Sequence, residues 1–278
     1  MASQSSPHPL GLLGFSAAAY GALLTALRRT RNIHDDPRIE LNAITDIHSV
    51  LSSAAVVYVL SRPWTVFQTP SLGPSHSDSA TGLLDDSDNP LIRGRSALGN
   101  AITAWEAGYL IYDTLAVASL RYKKTTNESM LKACMRFSAK EPLTFTHHIS
   151  LMVALSVLQL YVRKGRERGV WIINAFNLMN VSTPVLHWRW LQRYRTGRSD
   201  LRLDALLAMV FAGCRMVLIA WVLKTYGDYH GISILDSFMR QRWFCQLGTG
   251  ALFVMNAAWW LTLVKGILRR LTTKTKRS

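Results

Sequence analysis

Seven stretches of this chain are each apolar over about 18–24 residues, the length a helix needs to cross a hydrocarbon core of roughly 30 Å. They lie at 10–27, 43–61, 97–120, 143–162, 169–188, 201–224 and 243–264. With 49% hydrophobic residues and a mean hydropathy of +0.11, the chain is too apolar for an ordinary soluble domain. The predicted fold class is all-α, a multi-pass membrane protein with about seven transmembrane helices. The first and last stretches contain no charge; the second and fifth are weakest, because they hold Asp46, His48 and several Asn.

The net charge of +15 invites a nucleic-acid reading, but its distribution argues against one. With seven spans, 21 of the 32 Lys and Arg fall on one side and ten on the other, with Arg215 inside the sixth span. The positive-inside rule assigns the richer side to the cytosol. The N-terminus is then lumenal and the C-terminus cytosolic. Arg28, Arg29 and Arg31 follow the first apolar run, so this run reads as an N-out anchor rather than a cleaved signal. The tail places Lys274 and Lys276 as in a dilysine signal for retrieval to the endoplasmic reticulum, or alternatively as a polybasic contact for anionic lipid.

Domain organisation follows. Residues 1–40 form an N-terminal helix and cytosolic linker, 41–268 a membrane domain, and 269–278 a basic tail. A Ser-, Pro-, Gly- and Asp-rich loop at about 64–95 is predicted to be disordered, having too little apolar surface to bury. Cys134, Cys214 and Cys245 have neither metal spacing nor a pairing framework and are expected to be free thiols. The sequence specifies no oligomeric state.

Ionisable groups at membrane depth are the strongest pointers to function, because each costs free energy there. The topology brings Asp46 and His48, Asp113, His147 and His148, and Asn180, Ser182 and Thr183 to one level, roughly 5–12 Å below the cytosolic boundary. That level describes a chamber opening toward the cytosol. On the third span Glu106, Tyr109 and Asp113 share one helical face. On the fifth, Asn174, Asn177 and Asn180 recur every third residue. Arg215 lies deeper and needs a partner; Glu106 is the first choice by depth and Asp113 the second.

Pro142 suits the first turn of a helix, which puts His147 and His148 near a positive helix end that favours neutral imidazole. A neutral imidazole can take a proton from a hydroxyl or amine as a general base. Neighbouring helical residues point about 100° apart, so one of the two meets a given substrate atom. Di-iron hydroxylase chemistry needs several HxxHH boxes, and position 144 is Thr with no second box. Zinc would need further ligands, for which His48 and His187 are available. No phosphate-cradling Gly-rich loop or serine elbow is present.

Four segments together resemble the TLC-domain family, the membrane group that includes ceramide synthases and translocation-associated membrane proteins. They are Asn42 to His48-Ser49, Gly108-Tyr-Leu-Ile-Tyr-Asp113, the pair His147-His148, and Asn180-Val-Ser-Thr-Pro-Val-Leu-His-Trp-Arg-Trp190. The resemblance spans about 41–268, and its fourth segment is most similar to the smaller TLC proteins. Asn180 stands where those proteins usually carry Glu. The longer aspartate-containing motif of ceramide synthases is absent. The resemblance implies six helices around a lipid-accessible cavity, here spans two to seven, with 10–27 as an extra N-terminal helix. It also implies acyl transfer at a histidine pair, as in ceramide synthases, or non-catalytic tuning of membrane lipids, as in other members.

Two functional expectations result. In the first, an acyl group passes from acyl-coenzyme A, a co-substrate and not a tightly bound cofactor, to a hydrophobic acceptor. His147 or His148 is the base, and Asp113 orients the imidazole or binds the acceptor. Asp46, His48, Glu106, Tyr109, Asn177, Asn180, Thr183 and Arg215 bind substrate, and the basic loops 121–140 and 189–198 attract the coenzyme phosphates. In the second, the same polar layer grips a lipid headgroup without reaction. Membrane lipids are the partners in both; no metal and no nucleic acid is expected.

Overall fold

A computed structural model describes residues 9–30, 36–66, 84–125 and 127–275. Helices dominate these residues, joined by turns and short loops, with two strands of two residues each. The helices are α1 (Pro9–Thr30), α2 (Arg38–Leu60), α3 (Pro90–Arg93), α4 (Ala97–Val117), α5 (Met130–Lys140), α6 (Pro142–Arg163), α7 (Val170–Asn177), α8 (Thr183–Thr196), α9 (Leu201–Phe211), α10 (Leu218–His230), α11 (Ile234–Met239) and α12 (Trp243–Thr275). Local chemistry sets many boundaries. Ser96, Ser129, Asp200 and Ser233 cap the starts of α4, α5, α9 and α11 with their side-chain oxygens. Gly197 and Gly231 end α8 and α10 at φ of 66° and 65°, a conformation that favours glycine.

Among the described residues, five helices are long and apolar enough to cross a membrane: Leu10–Arg29, Arg38–Leu60, Pro142–Arg163, Leu201–His230 and Trp243–Thr272. The chain is an all-α multi-pass membrane protein. Two of the seven expected spans differ. The third forms one helix, α4, ending in a π-helical turn Ala118–Tyr122. It falls short in apolarity because Asn100, Glu106 and Asp113 lie along it. The fifth is broken: α7 ends at Asn177, a 3-10 turn runs Leu178–Ser182, and α8 starts at Thr183. Pro184 accounts for the break, since it has no N–H to donate and its ring collides with the carbonyl four residues back.

Three helices lie in segments read as loops or left unassigned: α3, α5 and α11. The expected disordered loop at 64–95 falls mostly outside the described residues. Its end is ordered, with Asn89 capping α3 and Asp86 accepting from Tyr226 Oη and pairing with His230 Nε2, both at 3.0 Å. The basic tail continues α12 as helix to Thr275.

The chain divides into two compact units, one of residues 1–61 and 95–170, the other of 62–94 and 171–278. In the first, α4 is central and packs on α1, α2 and α6. Its core is Tyr20, Leu41, Ile44, Tyr109, Tyr112 and Ala116. In the second, α12 and α8 pack on α9, and Met179, Leu218 and Ile219 form a small core. Val50, Leu51, Val57, Val153, Leu160, Leu247 and Val254 are exposed on the span helices, as a lipid-facing surface requires.

Gly108 sets the approach of α1 to α4. A Cβ there would stand 2.3 Å from the Leu13 carbonyl oxygen and 2.7 Å from Ser16 Cβ, the close small-residue contact typical of membrane helix pairs. Gly108→Ala is expected to destabilise the protein by about 1–3 kcal/mol through overpacking. Thermal melts in detergent check this, and an unchanged midpoint would contradict the contact.

Candidate functional site

Two polar centres lie on successive turns of α4 in the first unit. The deeper one is built around His48, which is 1% exposed. Trp105 Nε1–H donates to Tyr20 Oη at 2.8 Å. Tyr20 Oη lies 2.8 Å from His48 Nδ1. His48 Nε2 faces Glu106 Oε2 at 3.1 Å; an ionised carboxylate can only accept, so Nε2–H donates to it, and in a neutral imidazole Nδ1 then accepts from the Tyr20 hydroxyl. The Ser52 hydroxyl donates to the other carboxylate oxygen. Tyr109 stacks flat on His48, with ring centroids 3.5 Å apart and planes within 6°. It donates to Thr45 Oγ1 at 2.8 Å. A continuous relay, indole to phenol to imidazole to carboxylate, thus ties α1, α2 and α4 together.

The second centre is around His148 on α6. Its Nε2 lies 3.6 Å from Asp113 Oδ2, an ion-pair distance, and its Nδ1 lies 3.2 Å from Thr114 Oγ1. The Thr114 hydroxyl also reaches the Leu110 carbonyl oxygen at 2.7 Å. Its single proton can serve either acceptor, so two arrangements satisfy the site. If Thr114 donates to Nδ1, the imidazole is neutral, with Nε2–H aimed at a carboxylate. If Thr114 donates to Leu110, its oxygen is free to accept from Nδ1–H. A hydroxyl rotation separates the two without moving a ring. The His147 ring stands 6.0 Å from that of His148, and Phe137 from α5 packs edge-on to His148 at 6.1 Å.

The connection below this centre is ordered. Arg121 pairs with Glu141 at 2.6 Å, and Arg136 pairs with Glu128 while its Nε donates to the Tyr122 carbonyl at 2.8 Å. The Arg136 guanidinium, with help from the Lys124 backbone N–H, holds the Glu128 carboxyl down at about 2. Burial and the Glu141 hydrogen bond raise the Tyr122 phenol above its ordinary value. Two of the six basic residues of loop 121–140, Arg121 and Arg136, are therefore already partnered.

The remaining site residues are placed as follows. Asp46 is half-buried on α2; two residues along a helix is about 200°, so it points away from the face that carries His48. In the second unit, Asn177 ends α7, with a buried Nδ2 that finds no acceptor among the described residues. Asn180 lies in the 3-10 turn, and Thr183 opens α8. Arg215 donates from Nε to Ser182 Oγ at 2.9 Å and from Nη1 to Asn256 Oδ1 at 3.2 Å. Where depth pointed Arg215 to Glu106, the partners seen for Arg215 are neutral groups of its own unit, and Glu106 serves His48 and Ser52 in the first. Arg189, from the second basic loop, is bound to Asp204 together with Arg270. A cleft of about 450 Å³ beside them is lined by Gln192, Arg198, Asp200, Leu201 and Arg270. Among the described residues no three His, Cys, Asp or Glu side chains are grouped to share a metal ion.

A family model described as the TLC domain matches residues 42–265. The chain belongs to the TLC-domain family. No solved structure matches it. The matched span of the TLC domain includes His48, Glu106, Asp113 and both members of the histidine pair, but begins after α1. Tyr20, which no sequence motif marks, therefore completes the relay from outside the matched region. Its only signal was a phenol within an otherwise apolar run. Membership makes this a lipid-related membrane protein.

Proposed function

We propose that this TLC-domain protein transfers an acyl group from acyl-coenzyme A to a hydroxyl or amine on a hydrophobic acceptor. The observation that carries the reading is His148, held between the Asp113 carboxylate and the Thr114 hydroxyl. A carboxylate on one ring nitrogen orients the imidazole and offsets the charge it gains as a base. The acceptor hydroxyl or amine replaces Thr114 at Nδ1 and gives up its proton there as its oxygen or nitrogen attacks the thioester carbonyl. The carbon–sulfur bond breaks, and the coenzyme thiolate leaves and recovers the proton from the imidazolium. His147 lines the same helix end and is the second candidate base. Exposed Lys124, Lys132 and Lys140, in the same unit as His148, are available to the coenzyme phosphates.

The reading includes an endoplasmic-reticulum membrane, with the N-terminus lumenal and the C-terminus cytosolic. The bias of Lys and Arg supports the orientation.

The test is to incubate detergent-purified protein with a long-chain acyl-coenzyme A and a panel of sphingoid, glycerol and sterol acceptors. Release of free thiol should match formation of one acylated product. The His147→Ala, His148→Ala double variant should form none. Full turnover by that variant would remove the base assignment, and the absence of any product from the wild type would favour binding without reaction.

A further inference from the structure

Arg215 stands midway along a long membrane helix with its charge unanswered. The helix runs Leu201–His230, and Arg215 is about 21 Å from its start at 1.5 Å per residue. Its two hydrogen-bond acceptors, Ser182 and Asn256, are neutral. The Phe211 ring, at 4.7 Å, and the Trp259 ring, at 6.0 Å, offer π faces. Among the described residues of its unit no carboxylate lies within ion-pair distance of Arg215, and Nη2 meets no acceptor. The buried carboxylate of this unit, Asp204, is already committed to Arg189 and Arg270.

A guanidinium does not neutralise itself by losing its proton, as a buried lysine can. Neutral dipoles and ring faces offset only part of the several kcal/mol that such a charge costs in a low-dielectric setting. The backbone around it is irregular on both sides. Arg215 lies within a π-helical turn, Ala212–Val217, and this turn packs against the 3-10 turn Leu178–Ser182 that supplies Ser182. Such interruptions recur at functional sites. Arg215 is half-buried, not fully enclosed.

We propose that Arg215 anchors a binding site for the oxyanion, carboxylate or phosphate monoester, of a membrane-embedded amphiphile. The fork of Arg215 suits either group in bidentate fashion, and Ser182 and Asn256 hold the fork in place. This site lies in the second unit and is independent of acyl transfer at His148, so either idea can fail while the other stands.

The experiment is a set of thermal melts of the purified full-length protein in an uncharged detergent, with four additives: oleate, dioleoyl phosphatidate, the uncharged oleyl alcohol, and inorganic phosphate. Oleate or phosphatidate should raise Tm by about 5 °C or more at a hundredfold excess over Kd. The alcohol and inorganic phosphate should not. Arg215→Gln should abolish the rise. Arg215→Lys, which keeps the charge and loses the fork, should retain a weaker one and covers the case in which the glutamine variant fails to fold. An equal rise with oleyl alcohol, or a full rise in either Arg215 variant, would overturn the site. A rise with inorganic phosphate as large as with phosphatidate would overturn the lipid as its source.

Discussion

Asp113→Asn is expected to lower acyl transfer by about 10²–10⁴-fold. The amide is nearly isosteric but carries no charge to stabilise the imidazolium that forms when His148 takes the acceptor proton. Its NH₂ group also sets the ring in the wrong tautomer, as in Asp-His pairs generally. Thr114→Val makes the opposite point. It removes only the resting partner of Nδ1, which the acceptor displaces in any case, and turnover should stay within about tenfold. Steady-state kinetics of the two variants, with bound-acceptor affinity measured separately, check the assignment. If Thr114→Val were as damaging as Asp113→Asn, the centre would be a packing feature and not a proton carrier.

Glu106→Leu is expected to cost about 3–5 kcal/mol of stability, the scale for removing one partner from a buried pair. It leaves His48 Nε2–H and the Ser52 hydroxyl without their acceptor at a position where His48 is 1% exposed. Glu106→Gln keeps one acceptor oxygen and should cost less, about 1–3 kcal/mol. Adding His48→Leu to Glu106→Leu should recover part of the loss, because the orphaned donor goes with it. Melting or denaturant curves in detergent measure all three, and strict additivity would contradict a direct His48–Glu106 bond.

The helices and their approximate limits were legible because membrane crossing demands a run of apolar residues, and that demand is visible without tertiary knowledge. Where the reading failed, a second rule had competed with apolarity. In 169–188 the proline rule, acting through Pro184, outranks the apolar run. In Met130–Lys140 the helix is short and amphipathic; it buries Ala133 and Phe137 and keeps Lys132 and Lys140 outside, so its charge disguised it as loop. The capping serine, Ser129, was the available signal.

At the site, depth was legible and direction around the helix axis was not. A shared level brings His148 and Asp113 into view together, and they stand 3.6 Å apart. Depth alone did not reveal that Glu106 serves His48 and Ser52, since it does not say which way a side chain faces. Tyr20 is 28 residues from the histidine it contacts. Pairing across such a gap leaves no periodic trace in the chain.

The position of Tyr20 restricts how this protein can be trimmed or fused. A version shortened to the matched family span would begin past α1 and strand His48 Nδ1 and the Trp105 indole together. The first helix is therefore not an interchangeable leader that any hydrophobic segment could replace. A graft of equal length lacking a phenol at that register would still insert in the bilayer, yet would leave the interior of its neighbours chemically unfinished.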